Sequence, residues 1–227
     1  MSWRISPQYK DPDYSSVSLL LHGNGTNGST TITDNSPTPK TVTAVGNAQI
    51  STTQSKFGGA SIAFDGTGDY LDISSNSAFG YGLSDFTIEF WIYRNVSIVL
   101  QSFLDQRIGI ETALAPTIYI SGNSFFYYAN GANRISGGTL AASQWLHIAL
   151  SRSGTATKLF VSGVQVGSTF TDTINYVDSP VRIGGANGGT PPGVASLDGY
   201  IDDLRITKGV ARYTSNFSVP SVQFPDI

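Results

Sequence analysis

The chain has 227 residues, with 16 acidic and 13 basic side chains and a net charge of −3 at neutral pH. Charged residues make up 13% of the chain against about 25% in an average soluble protein, and no basic run occurs that could follow nucleic-acid phosphates. The absence of Cys excludes a disulfide framework, a thiolate metal site and a cysteine nucleophile.

The N-terminal stretch differs from the rest of the sequence. Residues 1–16 contain Trp3, Tyr9 and Tyr14 among prolines and mixed charges, without alternation of apolar and polar positions. They lack the apolar core of a signal peptide, and no apolar stretch approaches the about 20 residues of a membrane-spanning helix, so membrane insertion is not expected. We predict that this arm docks to another protein through its aromatic side chains. The alternative is that it packs on its own domain and covers a sheet edge.

Alternation with a period of two recurs along the chain and predicts β-strands. In residues 85–93, Phe86 and Phe90 share one face, while Glu89 and Trp91 share the other. Because both faces of this strand are mainly apolar or aromatic, we predict that it lies between two packed layers.

A three-strand meander is predicted over residues 145–167, with turns at residues 153–155 and 162–163. Further strand candidates are residues 17–22, 60–64, 70–73, 97–104, 117–120, 125–129, 181–183 and 199–206. Many short strands without crossover helices predict an all-β, antiparallel domain, either a sandwich or a barrel. We place this domain at residues 17–220, followed by a C-terminal tail at residues 221–227.

Four segments resemble laminin G-like and concanavalin A-type jelly-roll domains in their order and spacing. They are KFGGASIAFDGTGDYLDI (56–73), FTIEFWIY (86–93), WLHIALSRSGTATKLFVSGVQVGS (145–168) and GYIDDLRITKGVARY (199–213). The resemblance implies a jelly-roll sandwich of two curved antiparallel sheets, one convex and one concave. The closing string DDLRITKGVARYTSNFSVP (202–220) resembles the versions found in bacteriophage virion proteins.

Some hydrolases share this fold, and they carry two Glu and one Asp alternating on a single central strand. Retaining glycosidases need two carboxyl groups about 5 Å apart, and inverting ones about 6.5–9.5 Å. This chain has only two Glu residues, Glu89 and Glu111, and no second Glu lies two or four residues from Glu89. No G-x-S-x-G elbow supports a serine hydrolase either. We therefore expect the protein not to be an enzyme.

The resemblance also implies a calcium site, the one cofactor that we consider. Calcium prefers several carboxylate and carbonyl oxygens. In this family such a site joins an N-terminal loop, here Asp34, with the turn at Asp65 and Gly66 and with Asp202 on the last strand. The N-terminal loop departs from the family pattern because it contains two prolines. The alternative is that Asp34 and Asp65 only cap turns through their side chains.

Carbohydrate binding requires exposed aromatic rings with amides and carboxylates around them. The densest aromatic run covers residues 125–128, and alternation places Tyr127 and Tyr128 on opposite faces of the strand. The polar loop at residues 184–194 contains Asn187. We take Tyr127, Tyr128 and Asn187 as candidate ligand-binding residues.

These features together predict a non-enzymatic structural or adhesion protein of a bacteriophage particle, in its tail, fibre or capsid surface. Its location would be the virion, and its partners would be other virion proteins and host or environmental carbohydrate. Homo-oligomer formation stays open. The alternative is a free carbohydrate-binding module or lectin, with a glycoside hydrolase as the third candidate.

Overall fold

The computed structural model describes residues 10–95, 100–108, 114–187 and 196–227. In this part of the chain almost all regular structure is β-strand, with two three-residue 3-10 turns at Tyr14–Ser16 and Ser77–Phe79. The strands are β1 (Val17–Leu21), β2 (Thr43–Val45), β3 (Gln49–Ser51), β4 (Ser61–Asp65), β5 (Tyr70–Asn76), β6 (Phe86–Arg94), β7 (Leu100–Asp105), β8 (Thr117–Ser121), β9 (Ser124–Ala129), β10 (Ala132–Gly137), β11 (Trp145–Ser153), β12 (Ala156–Val161), β13 (Val164–Thr171), β14 (Ser179–Ile183) and β15 (Asp198–Lys208).

The strands form two antiparallel sheets, which confirms the predicted all-β sandwich. The 8-stranded sheet, here called sheet A, has the order β13-β12-β11-β6-β15-β4-β3, with β1 beside the second half of β15. The 7-stranded sheet, sheet B, has the order β10-β9-β8-β7-β14-β5-β2. Among the described helical segments, none is long and apolar enough to cross a membrane.

The main hydrophobic core lies between the two sheets. From β6 of sheet A, Phe86, Ile88 and Phe90 point into it and are completely buried. Phe90 meets Phe103 of sheet B edge to face, with ring centroids 6.2 Å apart. Burial of each such side chain contributes about 1.5–3 kcal/mol, so these three residues stabilise the packing of β6 against sheet B.

The opposite face of β6 is covered as well, as the sequence predicts. The chain after β15 folds back over sheet A, where Tyr213 and Phe217 stack with ring centroids 3.6 Å apart. The Phe217 ring lies 5.7 Å from His147 of β11, and Phe224 is 5% exposed. This layer, residues 209–227, is here called the C-terminal cover.

The described ends of the chain belong to the domain, which corrects the predicted boundaries at residues 16 and 220. The main-chain amide of Asp11 donates to the carbonyl of Ile227 at 3.1 Å, and the Tyr14 hydroxyl donates to the carbonyl of Asn35 at 2.6 Å. Residues 221–227 are not a free tail, because Phe224 packs in a small cluster with Val17 and neighbouring side chains. Of the predicted docking side chains, Tyr14 is therefore held by its own domain. Trp3 and Tyr9 lie outside the described residues.

Asp11 is tied to the domain by charge as well as by its backbone. Its Oδ2 lies 2.9 Å from Nη1 of Arg205 and 2.7 Å from Nη2 of Arg212. Asp11 is only 7% exposed. Removing one partner of a buried ion pair leaves the other charge uncompensated in a poorly solvated place.

Replacing Asp11 by Asn should therefore lower the free energy of unfolding by about 3 kcal/mol, because two guanidinium groups lose their shared carboxylate. Urea unfolding followed by circular dichroism measures this change. Asp13→Asn, at a neighbouring and less buried position, serves as the control and should change stability by less than about 0.5 kcal/mol. Deletion of residues 1–14 should destabilise the domain for the same reason as Asp11→Asn. An unchanged stability of Asp11→Asn would contradict the ion-pair interpretation.

Candidate functional site

The outer face of sheet A contains a buried cluster of charges beneath the C-terminal cover. Glu89 lies at its centre and is completely buried. Arg205, on the neighbouring β15, donates to Oε1 of Glu89 from Nε at 3.0 Å and from Nη2 at 2.7 Å. The Tyr213 hydroxyl donates to Oε2 at 2.7 Å, and Nε2 of His147 lies 3.2 Å from the same oxygen. Both carboxylate oxygens of Glu89 are thus used within the protein.

The electrostatics of the cluster keep Glu89 ionised. Burial on its own would raise the pKa of Glu89, but the positive charge of Arg205, the adjacent His147 and the hydrogen bond from Tyr213 outweigh it and lower the pKa to about 2. A glycosidase acid must carry a proton, and its partner carboxylate must face the substrate. Glu89 meets neither condition and serves to hold two strands and the C-terminal cover together. Glu111 lies outside the described residues.

Asp34 and Asp65, two of the predicted calcium ligands, lie in separate turns. The carboxylate of Asp34 accepts main-chain N–H groups of Leu20 at 3.0 Å and Lys40 at 2.7 Å. The carboxylate of Asp65 accepts the N–H of Thr67 at 2.8 Å. Both side chains therefore cap loops, as the alternative interpretation of the sequence holds.

Asp202 is different because one of its oxygens is left without a partner. Its Oδ2 accepts the N–H groups of Lys56 and Phe57 at 2.7 and 3.0 Å, whereas Oδ1 is buried and has no hydrogen-bond partner. Burial is the main cause that raises the pKa of Asp202 to about 7. Gly66, the predicted partner of Asp65 in the calcium site, has a φ of 86° and lies in the turn that follows Asp65. Within the described ranges, no three acidic or His side chains form a group that could hold a metal ion, so a shared site of Asp34, Asp65 and Asp202 does not fit.

A β-bulge explains how two consecutive carboxylates of β15 are both used. Between the pairs Asp202–Trp91 and Arg205–Glu89, β15 has one residue more than β6, and Asp203 adopts a φ of 49°. The Asp203 carboxylate then accepts the main-chain N–H of Phe224 at 2.8 Å and lies 2.8 Å from Nδ1 of His22. The bulge therefore anchors the C-terminal cover.

Tyr127, predicted to bind ligand, lies in the hydrophobic core instead. Its ring is completely buried, and its hydroxyl is hydrogen-bonded to that of Tyr176. The reason is the pairing of β9 with β8, which directs Phe125 and Tyr127 to the same inner side as Ile118 and Ile120. Tyr127 is thus corrected from a binding residue to a core residue.

Tyr128 and Asn187, in contrast, each contact one member of the same ion pair, formed by Asp105 at the end of β7 in sheet B and Arg107 just after it. The Arg107 guanidinium lies 5.5 Å from the centroid of the Tyr128 ring and forms an ion pair of 2.7 Å with Asp105. The main-chain N–H of Asn187 donates to the same Asp105 carboxylate at 2.7 Å. The rest of the predicted loop, from residue 188 onwards, falls in the part of the chain that the structure does not describe.

A second candidate surface lies on the outer face of sheet A, beside the covered region, and the sequence does not predict it. It is a groove of about 560 Å³ across β3, β4 and β15, bordered by Asn95 just after the end of β6. We call it the sheet A groove, and its lining includes Asn47, Gln49, Asp65, Asn95, Asp198 and Tyr200. The period of two alone places Tyr93 on the same face as Glu89 and Trp91, but only the strand order brings Tyr93 beside Tyr200.

This chain resembles a known family in sequence and several solved structures in fold. A laminin G-type family profile, described as the concanavalin A-like lectin/glucanases superfamily, matches residues 65–212. The chain belongs to this superfamily. No curated protein matches the sequence. The superfamily includes lectins as well as glucanases, so membership alone does not decide between binding and catalysis.

Solved structures of similar fold include the binding domain of botulinum neurotoxin serotype D/C, with a TM-score of 0.63, 15% identity and 87% of this chain covered. The binding domain of neurotoxin DC in complex with rat synaptotagmin II has the same values. A structure of neurotoxin type C, whose cell entry is described as dependent on two ganglioside molecules, has a TM-score of 0.62 and 13% identity over 87% of this chain. The present chain spans about half the length of these proteins, 50%, 49% and 49%. At such identities the likeness shows the fold.

Glu89→Gln should lower the free energy of unfolding by about 3 kcal/mol at pH 7, since Arg205 loses its charged partner. Because the folded-state pKa of Glu89 is about 2 instead of 4.5, its stabilisation is fully present above pH 4.5 and is lost as the pH falls toward 2. Denaturant unfolding of the wild-type and variant proteins between pH 7 and pH 3 measures this convergence. A difference that stays constant over that range would contradict the ion-pair interpretation.

The calcium prediction is reduced to Asp202, whose Oδ1 has no hydrogen-bond partner. Main-chain carbonyl groups would have to supply the other ligands, because Asp202 belongs to no group of three acidic or His side chains in the described part of the chain. After treatment with EDTA, added calcium should raise the melting temperature of the wild-type protein by several degrees, since a ligand at 100 times its Kd stabilises by about 2.7 kcal/mol. Asp202→Asn should abolish the shift, while Asp34→Asn tests whether the N-terminal loop contributes. A wild-type melting temperature that calcium leaves unchanged would contradict the prediction.

Proposed function

We propose that this chain is a non-enzymatic binding domain on the surface of a bacteriophage particle, in its tail, fibre or capsid surface, and that it binds carbohydrate. The observation that carries the binding role is the contrast on sheet A. There Glu89 is buried and ion-paired, whereas the uncovered sheet A groove presents Tyr200 among amide and carboxylate groups. Such a combination suits recognition of a polar ligand better than bond cleavage.

The solved relatives support a binding role by analogy of fold. Two of them are binding domains, one of which is in complex with rat synaptotagmin II, and the third is a neurotoxin whose cell entry is described as dependent on two ganglioside molecules. Their partners support carbohydrate or protein as the partner class of this chain. Because one fold supports many functions, the proposal rests on the surfaces of this chain first and on the relatives second.

The virion location rests on the resemblance of residues 202–220 to the closing segments of phage virion proteins. In the structure, this segment begins at the β15 bulge and continues into the C-terminal cover, so the resemblance falls on residues that hold the domain together. Docking to other virion proteins is proposed through Trp3 and Tyr9 of the N-terminal arm, since Tyr14 is engaged within the domain.

Two measurements test this proposal. The purified chain should bind glycans on an array while releasing no reducing sugar from β-glucans, because Glu89 has no free oxygen to offer a substrate. An antibody raised against the chain should label the surface of purified phage particles in immunogold electron microscopy.

The outcomes separate the three candidate functions. Glycan binding without labelling of particles would favour the free lectin and contradict the virion role. Release of sugar that Glu89→Gln abolishes, in a variant that remains folded, would show a hydrolase. Labelled particles without any glycan binding would leave a structural virion protein and contradict the carbohydrate part of the proposal.

A further inference from the structure

We propose that the sheet A groove binds a neutral saccharide, which stacks on Tyr200 and hydrogen-bonds to the amide groups around it. This inference rests on the proposed function and names the site and the ligand class for it. The predicted site around Tyr128 and Asn187 is on the other sheet, so the two surfaces can be tested separately.

The register of four strands explains why a groove exists at this place. Gln49 of β3 pairs with Ala63 of β4, Ala63 with Tyr200 of β15, and Tyr200 with Tyr93 of β6. These residues form one line across the outer face of sheet A. Ala63 has the smallest side chain of the line and stands between two long ones, so it leaves the floor of the groove open.

Two further aromatic rings, those of Tyr93 and Trp145, continue the same line beyond Tyr200. The centroids of Tyr200 and Tyr93 are 5.9 Å apart, and those of Tyr93 and Trp145 are 5.6 Å apart. Each ring is partly exposed, whereas Trp91 on the same face is 4% exposed beneath Lys56 and Phe57. Exposed aromatic faces with negative π-density attract the weakly positive C–H groups of a sugar ring. Because neighbouring rings are inclined by 72° and 54°, each partly exposed ring offers a separate face for stacking rather than one flat surface.

Two fixed amide–carboxylate pairs flank Tyr200. The side-chain amide of Asn95 donates to Oδ1 of Asp198 at 2.8 Å, and that of Asn47 donates to Oδ2 of Asp65 at 2.8 Å. An amide that donates through its nitrogen keeps its carbonyl oxygen to accept hydrogen bonds from hydroxyl groups. Groups held in this way lose little side-chain freedom on binding, which favours affinity.

The charge of the groove selects the ligand class. Asp65 and Asp198 are both part of the lining, and none of the described lining residues is Lys or Arg. An anionic sugar would meet two carboxylates without a compensating cation, whereas a neutral sugar gains hydroxyl donors to the same oxygens. The groove therefore fits a neutral saccharide and disfavours sialylated or sulfated ones.

Isothermal titration calorimetry with cellohexaose, laminarihexaose and 3′-sialyllactose tests this inference on the full chain. We expect at least one neutral hexasaccharide to bind and the sialylated sugar not to bind. Tyr200→Ala, which removes the stacking ring, and Ala63→Leu, which fills the floor of the groove, should each raise Kd at least tenfold. Tyr200→Phe keeps the ring and should bind like the wild-type protein, and melting temperatures show that each variant is folded.

Leu83→Ala, at an exposed position outside the groove, is the control and should leave Kd unchanged. Tyr128→Ala tests the competing surface on sheet B. If Tyr128→Ala abolishes binding while Tyr200→Ala and Ala63→Leu bind normally, the inference is wrong. The saccharide then binds at the surface around Tyr128, and the proposed carbohydrate binding itself remains supported. Binding of the sialylated sugar alone, or of none of the three sugars, also overturns the inference. The labelling of phage particles decides the virion role independently of all these results.

Discussion

The guanidinium of Arg205 makes the interaction on which the arrangement of the outer layer depends. Through separate nitrogens it holds Glu89 of β6 and Asp11 from the chain before β1, and its carbon lies 3.8 Å from the ring centroid of Phe224. The Arg205 guanidinium thus joins β6, β15 and both described ends of the chain. A buried charge is tolerated only where it is fully paired, so each of these segments requires the others to be in place.

This layer divides the outer surface of sheet A into two regions with different roles. Where the C-terminal cover lies, side chains that look reactive in the sequence, such as Glu89 and His147, are buried and paired. Beyond the cover, the aromatic and amide side chains of the same strands stay open to solvent. The division follows from how far residues 209–227 reach, and it separates the stabilising part of the sheet from the part that can meet a ligand.

Alternation along the sequence predicts the long strands well because each of them has its own apolar face. The predicted strand at residues 85–93 corresponds to Phe86–Arg94, and the meander at residues 145–167 corresponds to β11, β12 and the start of β13. Strands β2, β3 and β10 are not predicted. Three residues cannot show a period in β2 and β3, which form by pairing with β5 and β4, and β10 has a single buried side chain, Ile135, so it lacks an apolar face.

The site is less predictable, because contacts between distant residues build it. Alternation separates Tyr127 from Tyr128, but only the neighbouring strand decides which of the two enters the core. The pairing of Asp11 with Arg212 joins positions 201 residues apart, so composition alone suggests a loose arm where the structure has an ion pair. Gln49, Ala63 and Tyr200 come from three separate stretches of sequence, and no local pattern connects them.

The distance along the chain between Glu89 and Arg205 also affects how the protein is made. Arg205 is synthesised 116 residues after Glu89, and ribosomes add about 5–20 residues per second. For several seconds or longer, β6 therefore exists without the cation that neutralises its carboxylate and without β15, its neighbour in sheet A. Folds dominated by such distant pairings are slow to form, and their unpaired strands are open to aggregation in the meantime. The nascent chain is thus most vulnerable before β15 and the C-terminal cover, residues 198–227, emerge, and expression at low temperature or with chaperones would protect it during that interval.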